Sequence, residues 1–384
     1  MDNKKIYLIT FIAANGGLLY GLNMAGISGC VDSIQQIFGL SSNSIGLAVS
    51  ILTLGCLVGS FFVGQLADII SRRGVFILSA IIMALTSLGL FYAQSIVWVI
   101  VLRFISGLVV GAVSVVSPMY ISEISPSDKR GTLVSFNQFA ITIGILFAYL
   151  INFYFKERLA PAVAWHYMLA VPFVFSIVFL LLALFILPHS PRWLMAKGLK
   201  AKARDVLYWM MGKKDGRKEY NALQTSFTEA SAEEKVVFSD IFRGNIGKVV
   251  LLGTLLAVLQ QIMGINAVVN YAPVLFKQMG SATDPFMQSI IIGVVNVVFT
   301  VVALGFVDWL GRKKLLLIGS VGSTLALLYL VIATVFKMEG IGMSLALFAY
   351  IAFFAATWSP IMWVVISEIY PNEFEARPCL FPQP

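Results

Sequence analysis

GQLADIISRR at residues 64–73 returns as GFVDWLGRK at 305–313, and the pairs Asp68/Asp308 and Arg72/Arg312 are each 240 residues apart. SPMYISEISP at 117–126 returns as SPIMWVVISEIYP at 359–371, with Glu123 and Glu368 offset by 245. Two independent matches at nearly one offset mark a duplicated unit, and self-similarity of this kind decides an architecture before any single motif does. The surroundings of these blocks are strongly apolar. Of 384 residues, 59% are hydrophobic, 12% charged and 13% aromatic. A water-soluble domain runs at about 45–50% apolar and about 25% charged, so this chain lacks the polar residues to cover a soluble surface. Its aromatic content equally excludes intrinsic disorder. The composition calls for several membrane spans.

A helix of about 20 apolar residues crosses a bilayer with its backbone satisfied internally. Ten stretches qualify, at about 6–27, 45–67, 74–93, 96–121, 132–154, 167–187, 248–276, 285–307, 314–336 and 342–369. The first lacks the flanks of a cleaved signal peptide and is kept as a span. With the N-terminus inside, 22 of the 27 lysines and arginines fall in inner segments, four fall in outer ones, and Arg103 lies within a span. The formal charge of +8 is therefore mostly a topology signal; no soluble basic domain exists that would bind nucleic acid. The one long polar stretch, 188–247, contains RWLMAKGLKAKARDVLYWMMG at 192–212, whose helical periodicity and basic face predict short helices against the inner mouth.

The duplicated unit is about six spans long, and both copies begin on the same side, which is the parallel arrangement of the two halves in major-facilitator carriers. This predicts an all-α polytopic fold: a six-helix bundle over 1–187, a helical linker over 188–247, and a second bundle over 248–384. By the 240-residue offset that second bundle is two helices short, giving ten of an expected twelve. At the inner ends, Asp68, Arg72, Arg73, Glu123 and Arg130, with Asp308, Arg312 and Glu368 of the second copy, form a candidate ionic latch between bundles that releases in one conformation.

Polar groups at membrane depth are costly and face a cavity or a partner helix. Arg103 lies roughly 10 Å below the outer surface by helical rise, and Asn23 at similar depth is its expected hydrogen-bond partner. Six carboxamides concentrate in three spans: Gln138; Gln260, Gln261, Asn266 and Asn270; and Asn296. A carboxamide both donates and accepts, so the cluster suits a neutral polyol, with Trp358 or Trp363 offering an apolar face to a ring. Gly264 among these amides predicts local unwinding. No carboxylate falls in mid-span, which argues against proton coupling. No metal-ligand spacing, phosphate-cradling loop or nucleophile–base set is present. The chain is expected to be no enzyme and to need no cofactor or metal.

Taken together, these residues resemble the sugar-porter family of the major facilitator superfamily, through GGLLYGLNMAGISG (16–29), the blocks around Asp68 and Asp308, YISEISPSDKRG (120–131), PHSPRWL (188–194), QQIMGIN (260–266) and SEIYP (367–371). Bacterial pentose and hexose carriers look the most similar. The resemblance implies that Gln138, Gln260, Gln261, Asn266, Asn296 and Trp363 bind the sugar. It also implies that Arg103 faces the span-one position, aspartate in the family's proton symporters and asparagine here. The resulting expectation is a facilitator of monosaccharide transport in the cell membrane, working by alternating access. The alternatives are a sugar–proton symporter, a non-transporting sensor and a defective product. The chain departs from the family pattern at Ile69 and Ser71, where arginine and glycine are usual, at His189 in place of a glutamate, and at Asn270 in place of a tyrosine. The tail ARPCLFPQP is also unlike a porter and reads as a frame slip or a premature end.

Overall fold

The structure, a computed structural model, describes residues 3–126, 129–232, 244–280, 283–338 and 340–369. Nothing but helix and connecting turns is found among them. The first repeat contains α1 (Asn3–Gly26), the short α2 (Val31–Ile37), α3 (Ser42–Ile70), α4 (Arg72–Phe91), α5 (Ile96–Ile124), α6 (Arg130–Arg158), α7 (Pro161–Ala170) and α8 (Pro172–Phe185). Next come α9 (Pro191–Ala196) and α10 (Lys200–Ala232). The second repeat contains α11 (Gly244–Ile262), α12 (Ile265–Gln278), α13 (Pro285–Leu310), α14 (Arg312–Val335), α15 (Ile341–Ala356) and α16 (Trp358–Ile369). Ten helical stretches among the described residues are long and apolar enough to cross a membrane, and they coincide with the ten expected spans. Three of these stretches join two α-helices, α7 with α8, α11 with α12, and α15 with α16, and the first stretch joins α1 to a 3-10 turn at Ile27–Gly29.

Local chemistry places the ends. Ser41 and Ser95 accept backbone N–H bonds from Ser44 and Trp98, satisfying amides that a helix start leaves unpaired. Pro161, Pro172, Pro191 and Pro285 open α7, α8, α9 and α13, where a missing N–H costs nothing. The duplication reappears in the backbone. Helices α3 and α13 end at Ile70 and Leu310, and α4 and α14 start at Arg72 and Arg312, at the 240-residue offset of the sequence. The residues between them share one conformation, φ 74 and ψ 160 at Ser71, φ 80 and ψ 146 at Gly311.

Small residues draw helices of the first repeat together. A Cβ on Gly55 or Gly59 would run into the carbonyls of Phe104 and Leu108, and one on Gly107 or Gly111 into those of Leu52 and Cys56. Thus α3 and α5 touch backbone to backbone, as Gly-x3-Gly spacing predicts. Gly17 makes a similar approach of α1 to Asn137 of α6. The outward surface is apolar; Phe61, Leu57 and Phe185 are largely exposed, as suits a lipid-facing side.

The two ends of the molecule differ. The basic end gathers the starts of α1, α4 and α6 with α9 and α10; Lys5 donates to the Trp209 carbonyl of α10 at 3.0 Å. In the segment after span six, α9 is followed by α10, whose two helical runs meet in a kink at Gly212, φ 81. Tyr120 donates to the Pro188 carbonyl at 2.8 Å, and Trp193 Nε1 to that of Asp68 at 3.0 Å, holding α9 against the first repeat. At the far end the two repeats meet. Lys277 pairs with Asp32 and Lys156 with Asp284, both at 2.7 Å. Burial pushes the Asp284 carboxyl up, but the Lys156 bond and the Met287 and Phe286 amides outweigh it and hold it below its ordinary range.

Candidate functional site

Four of the carboxamides lie at two helix interruptions. Gly264 adopts the left-handed conformation (φ 85, ψ 13), which costs glycine little, and it separates α11 from α12. The predicted unwinding is therefore present. The interruption strands backbone groups in the interior. Tyr350 of α15 donates its hydroxyl to the Met263 carbonyl at 2.7 Å, and Asn266 Nδ2 bridges the break to Gln261 Oε1 at 2.8 Å. A second break falls at Thr357 (φ −133, ψ −79), between α15 and α16.

Gln138 and Gln260 reach this second break from opposite repeats. Gln138 Nε2 donates to Ser359 Oγ at 2.7 Å, while Gln260 Nε2 donates to the Trp358 carbonyl at 3.1 Å. Two amides far apart in sequence are thus brought to neighbouring residues. Asn296 of α13 is buried, with no hydrogen-bond partner for its carboxamide among the described residues. As oriented, Gln138, Gln260 and Asn266 keep their amide oxygens available to accept, Gln261 keeps its NH2 group, and Asn296 keeps both. A mixture of donors and acceptors with no net charge matches hydroxyl groups, each of which does both. Asn270 is also buried, its oxygen lacking a partner.

Of the two candidate ring platforms, Trp358 has its indole N–H committed to Ser320 Oγ at 3.0 Å and is itself buried. It is a packing residue. Trp363 lies on α16, and its side chain is outside the described residues. Ser359, Ser320 and Tyr350 are participants that sequence reasoning missed; a lone hydroxyl in an apolar span carries no signal of its partner.

The expected Asn23–Arg103 bond is not formed. Arg103, fully buried on α5, donates from Nε to the Ala48 carbonyl of α3 at 3.2 Å. Asn23 donates to its own helix at Leu19 (2.9 Å) and to the Met83 thioether of α4 (3.3 Å). The reason is the glycine contact between α3 and α5, which carries an α3 carbonyl within reach of the guanidinium before Asn23 is.

At the basic end Arg72 donates to Asp68 Oδ1 at 2.8 Å, to Glu123 Oε1 at 2.9–3.0 Å and to the Ala67 carbonyl at 3.1 Å. Arg73 donates to the Ala183 carbonyl at 3.2 Å and to that of Leu184. This described part of the expected latch ties α3, α4, α5 and α8 of one repeat to each other rather than repeat to repeat. Arg130 and Arg312 begin α6 and α14, whereas the side chains of Asp308 and Glu368 lie outside the described residues.

The profile of the family described as "Sugar (and other) transporter" matches residues 9–378. The chain is 33% identical over 408 residues to the D-xylose-proton symporter of Escherichia coli K12, covering 98% of this chain and 82% of that protein. It is 35% identical over 371 residues to the glucose transporter GlcP of Staphylococcus epidermidis, covering 95% and 81%. Among solved structures, the major-facilitator proton:xylose symporter XylE bound to 6-bromo-6-deoxy-D-glucose superposes with a TM-score of 0.85 at 32% identity, covering 98% of this chain and 84% of that one.

Proposed function

The chain belongs to the sugar transporter family of the major facilitator superfamily, and from that premise we propose that it carries a monosaccharide across the cell membrane by facilitated, alternating access. The observation that carries the reading is the meeting of Gln138 and Gln260, from different repeats, at the α15–α16 break. A ligand bound there touches both repeats, and its binding energy is then available to bias their relative position. The sugar hydroxyls pair with the amides of Gln138, Gln260, Gln261, Asn266 and Asn296, and its ring packs on Trp363. Residues 1–187 and 248–384 act as the two rocking bodies joined by 188–247, with the N-terminus and the basic end in the cytoplasm, as the lysine and arginine bias requires. No covalent step is involved.

Passive transport is supported at the coupling position. Asn23 does not titrate, and Arg103 faces a backbone carbonyl rather than a carboxylate. The similarity to a protein named a D-xylose-proton symporter favours the second reading, coupled transport. Counterflow and pH-dye measurements in proteoliposomes separate the two. Sugar exchange without proton movement is expected; one proton per sugar would make the chain a symporter. Sugar binding without exchange would make it a sensor or a defective product. Gln260→Ala is expected to raise half-saturation about five- to tenfold, the worth of one neutral hydrogen bond.

A further inference from the structure

Pro273 lies inside α12 and has no backbone N–H, so the carbonyl of Val269, four residues earlier, loses the donor that a regular helix supplies. The backbone leaves helical geometry at Tyr271, φ −116 and ψ 15. Val269 is buried, and a carbonyl stranded at membrane depth is costly. The missing donor comes from elsewhere. Tyr149 of α6 gives its hydroxyl to the Val269 oxygen at 2.9 Å. The two partners belong to different repeats, and Tyr149 is itself fully buried. Its ring is pressed on α13, where a Cβ at Gly293 would approach Tyr149 Cδ2 to 3.2 Å. Seven residues further along α6, Lys156 reaches Asp284 of the second repeat; eight residues beyond Val269, Lys277 reaches Asp32 of the first. The Tyr149 bond is therefore the buried member of a line of contacts that closes the far end.

We propose that Tyr149 is a positioning residue which holds the far side closed by supplying, from the opposite repeat, the donor that Pro273 removes from Val269. The inference rests on the alternating-access reading above. When the far side opens, the hydroxyl departs and the carbonyl passes to water in the widened cleft. The bond thus biases the equilibrium towards the far-closed form by about fivefold, the net value of one neutral hydrogen bond, without locking it.

A double-mutant cycle tests this. Ser33, on the far-end cavity between the repeats, is replaced by cysteine. Labelling by a membrane-impermeant maleimide is followed in proteoliposomes, with labelling of the unsubstituted chain subtracted. Tyr149→Phe, which keeps the ring, is expected to raise the labelling rate about fivefold. It should also lower the apparent half-saturation for uptake from the far side, because more of the carrier is already open there. In a Pro273→Ala background the same substitution should change labelling less than about twofold, since the restored N–H serves Val269 from within α12. Pro273→Ala alone should raise labelling and serves as the test should the Phe variant fail to fold. Unchanged labelling in Tyr149→Phe, or equal increases in both backgrounds, overturns the proposal. Added sugar is a separate control: labelling that never responds to it counts against alternating access, while the contrast between the two backgrounds still decides the role of Tyr149.

Discussion

The Ser71 hydroxyl lies 3.1 Å from Nδ1 of His189, joining two of the positions at which the chain departs from its family's pattern. Ser71 holds φ 74 and ψ 160, a region that glycine alone enters freely and that Gly311 occupies in the second repeat. The serine offsets that strain locally. Its oxygen caps α4 by accepting the Gly74 N–H at 3.1 Å, and it meets a histidine stacked on Trp193. Two departures that look unrelated in sequence thus fasten α9 to the α3–α4 turn.

Replacing Ser71 by alanine keeps the strained backbone and removes both hydrogen bonds. A loss of about 1–2 kcal/mol is expected. Glycine loses the same bonds but relieves strain of about 1 kcal/mol or more, so its loss should be smaller. Thermal unfolding of the two purified variants checks the order; an alanine variant more stable than the glycine one would contradict it.

Burial lowers the His189 pKa from its usual 6.5, and the neighbouring charges of Arg73 and Lys202 lower it further. The unfolded chain therefore binds this proton at higher pH than the native one, and stability rises with pH between the two values. The contribution is complete above about pH 6.5 and is lost as the pH falls through the lowered native value. Melting curves between roughly pH 5 and 7.5 should show less acid sensitivity in His189→Gln than in the parent.

Glu123 and Asp68 both hold Arg72, but their side chains are 4% and 30% exposed. Removing the buried partner leaves Arg72 with only the partly solvated Asp68 and the Ala67 carbonyl, so Glu123→Ala should cost about 1.5–3 kcal/mol, the worth of a charge-assisted hydrogen bond. Asp68→Ala removes a partly solvated contact and should cost about 1 kcal/mol or less. Equal losses in the two variants would show that Arg72 depends on Glu123 no more than on Asp68.

Asn23 is 6% exposed, and an aspartate there would introduce a titratable group into the interior of the first repeat. Counterflow by Asn23→Asp is expected to acquire a pH dependence across roughly pH 5.5–8 that the parent lacks, because burial moves carboxyl titration towards neutrality. Exchange rates at fixed sugar concentration are the measurement. A parent that already shows the same profile would speak for coupling through another group.

Much of this architecture was legible along the chain. Hydropathy marked the ten spans, the repeated Asp68 and Asp308 blocks marked the duplication, and Gly264 marked the unwound turn among the amides. Partner choice was not. Arg103 pairs with Ala48 rather than Asn23, an outcome that depends on how closely Gly55 and Gly107 let α3 approach α5. Asp32, Lys156, Lys277 and Asp284 read as scattered loop charges, and only the meeting of the repeats turns them into two ion pairs. Similarly, the Pro273 position announces an orphaned carbonyl, but nothing local reveals that Tyr149 satisfies it.

The division has a physical origin. Span length, helix starts at serine and proline, glycine approach sites and the side of the basic loops are set by residues within a few turns of each other, so the amino-acid sequence alone determines them. Which polar atoms meet depends on the rotation and depth of helices joined only through packing. Each residue turns the helix by about 100°, so a small change in seating sends an amide or guanidinium to another neighbour. That is why the far-end closure, the Ser71–His189 contact and the convergence of Gln138 with Gln260 were decided only by the tertiary structure.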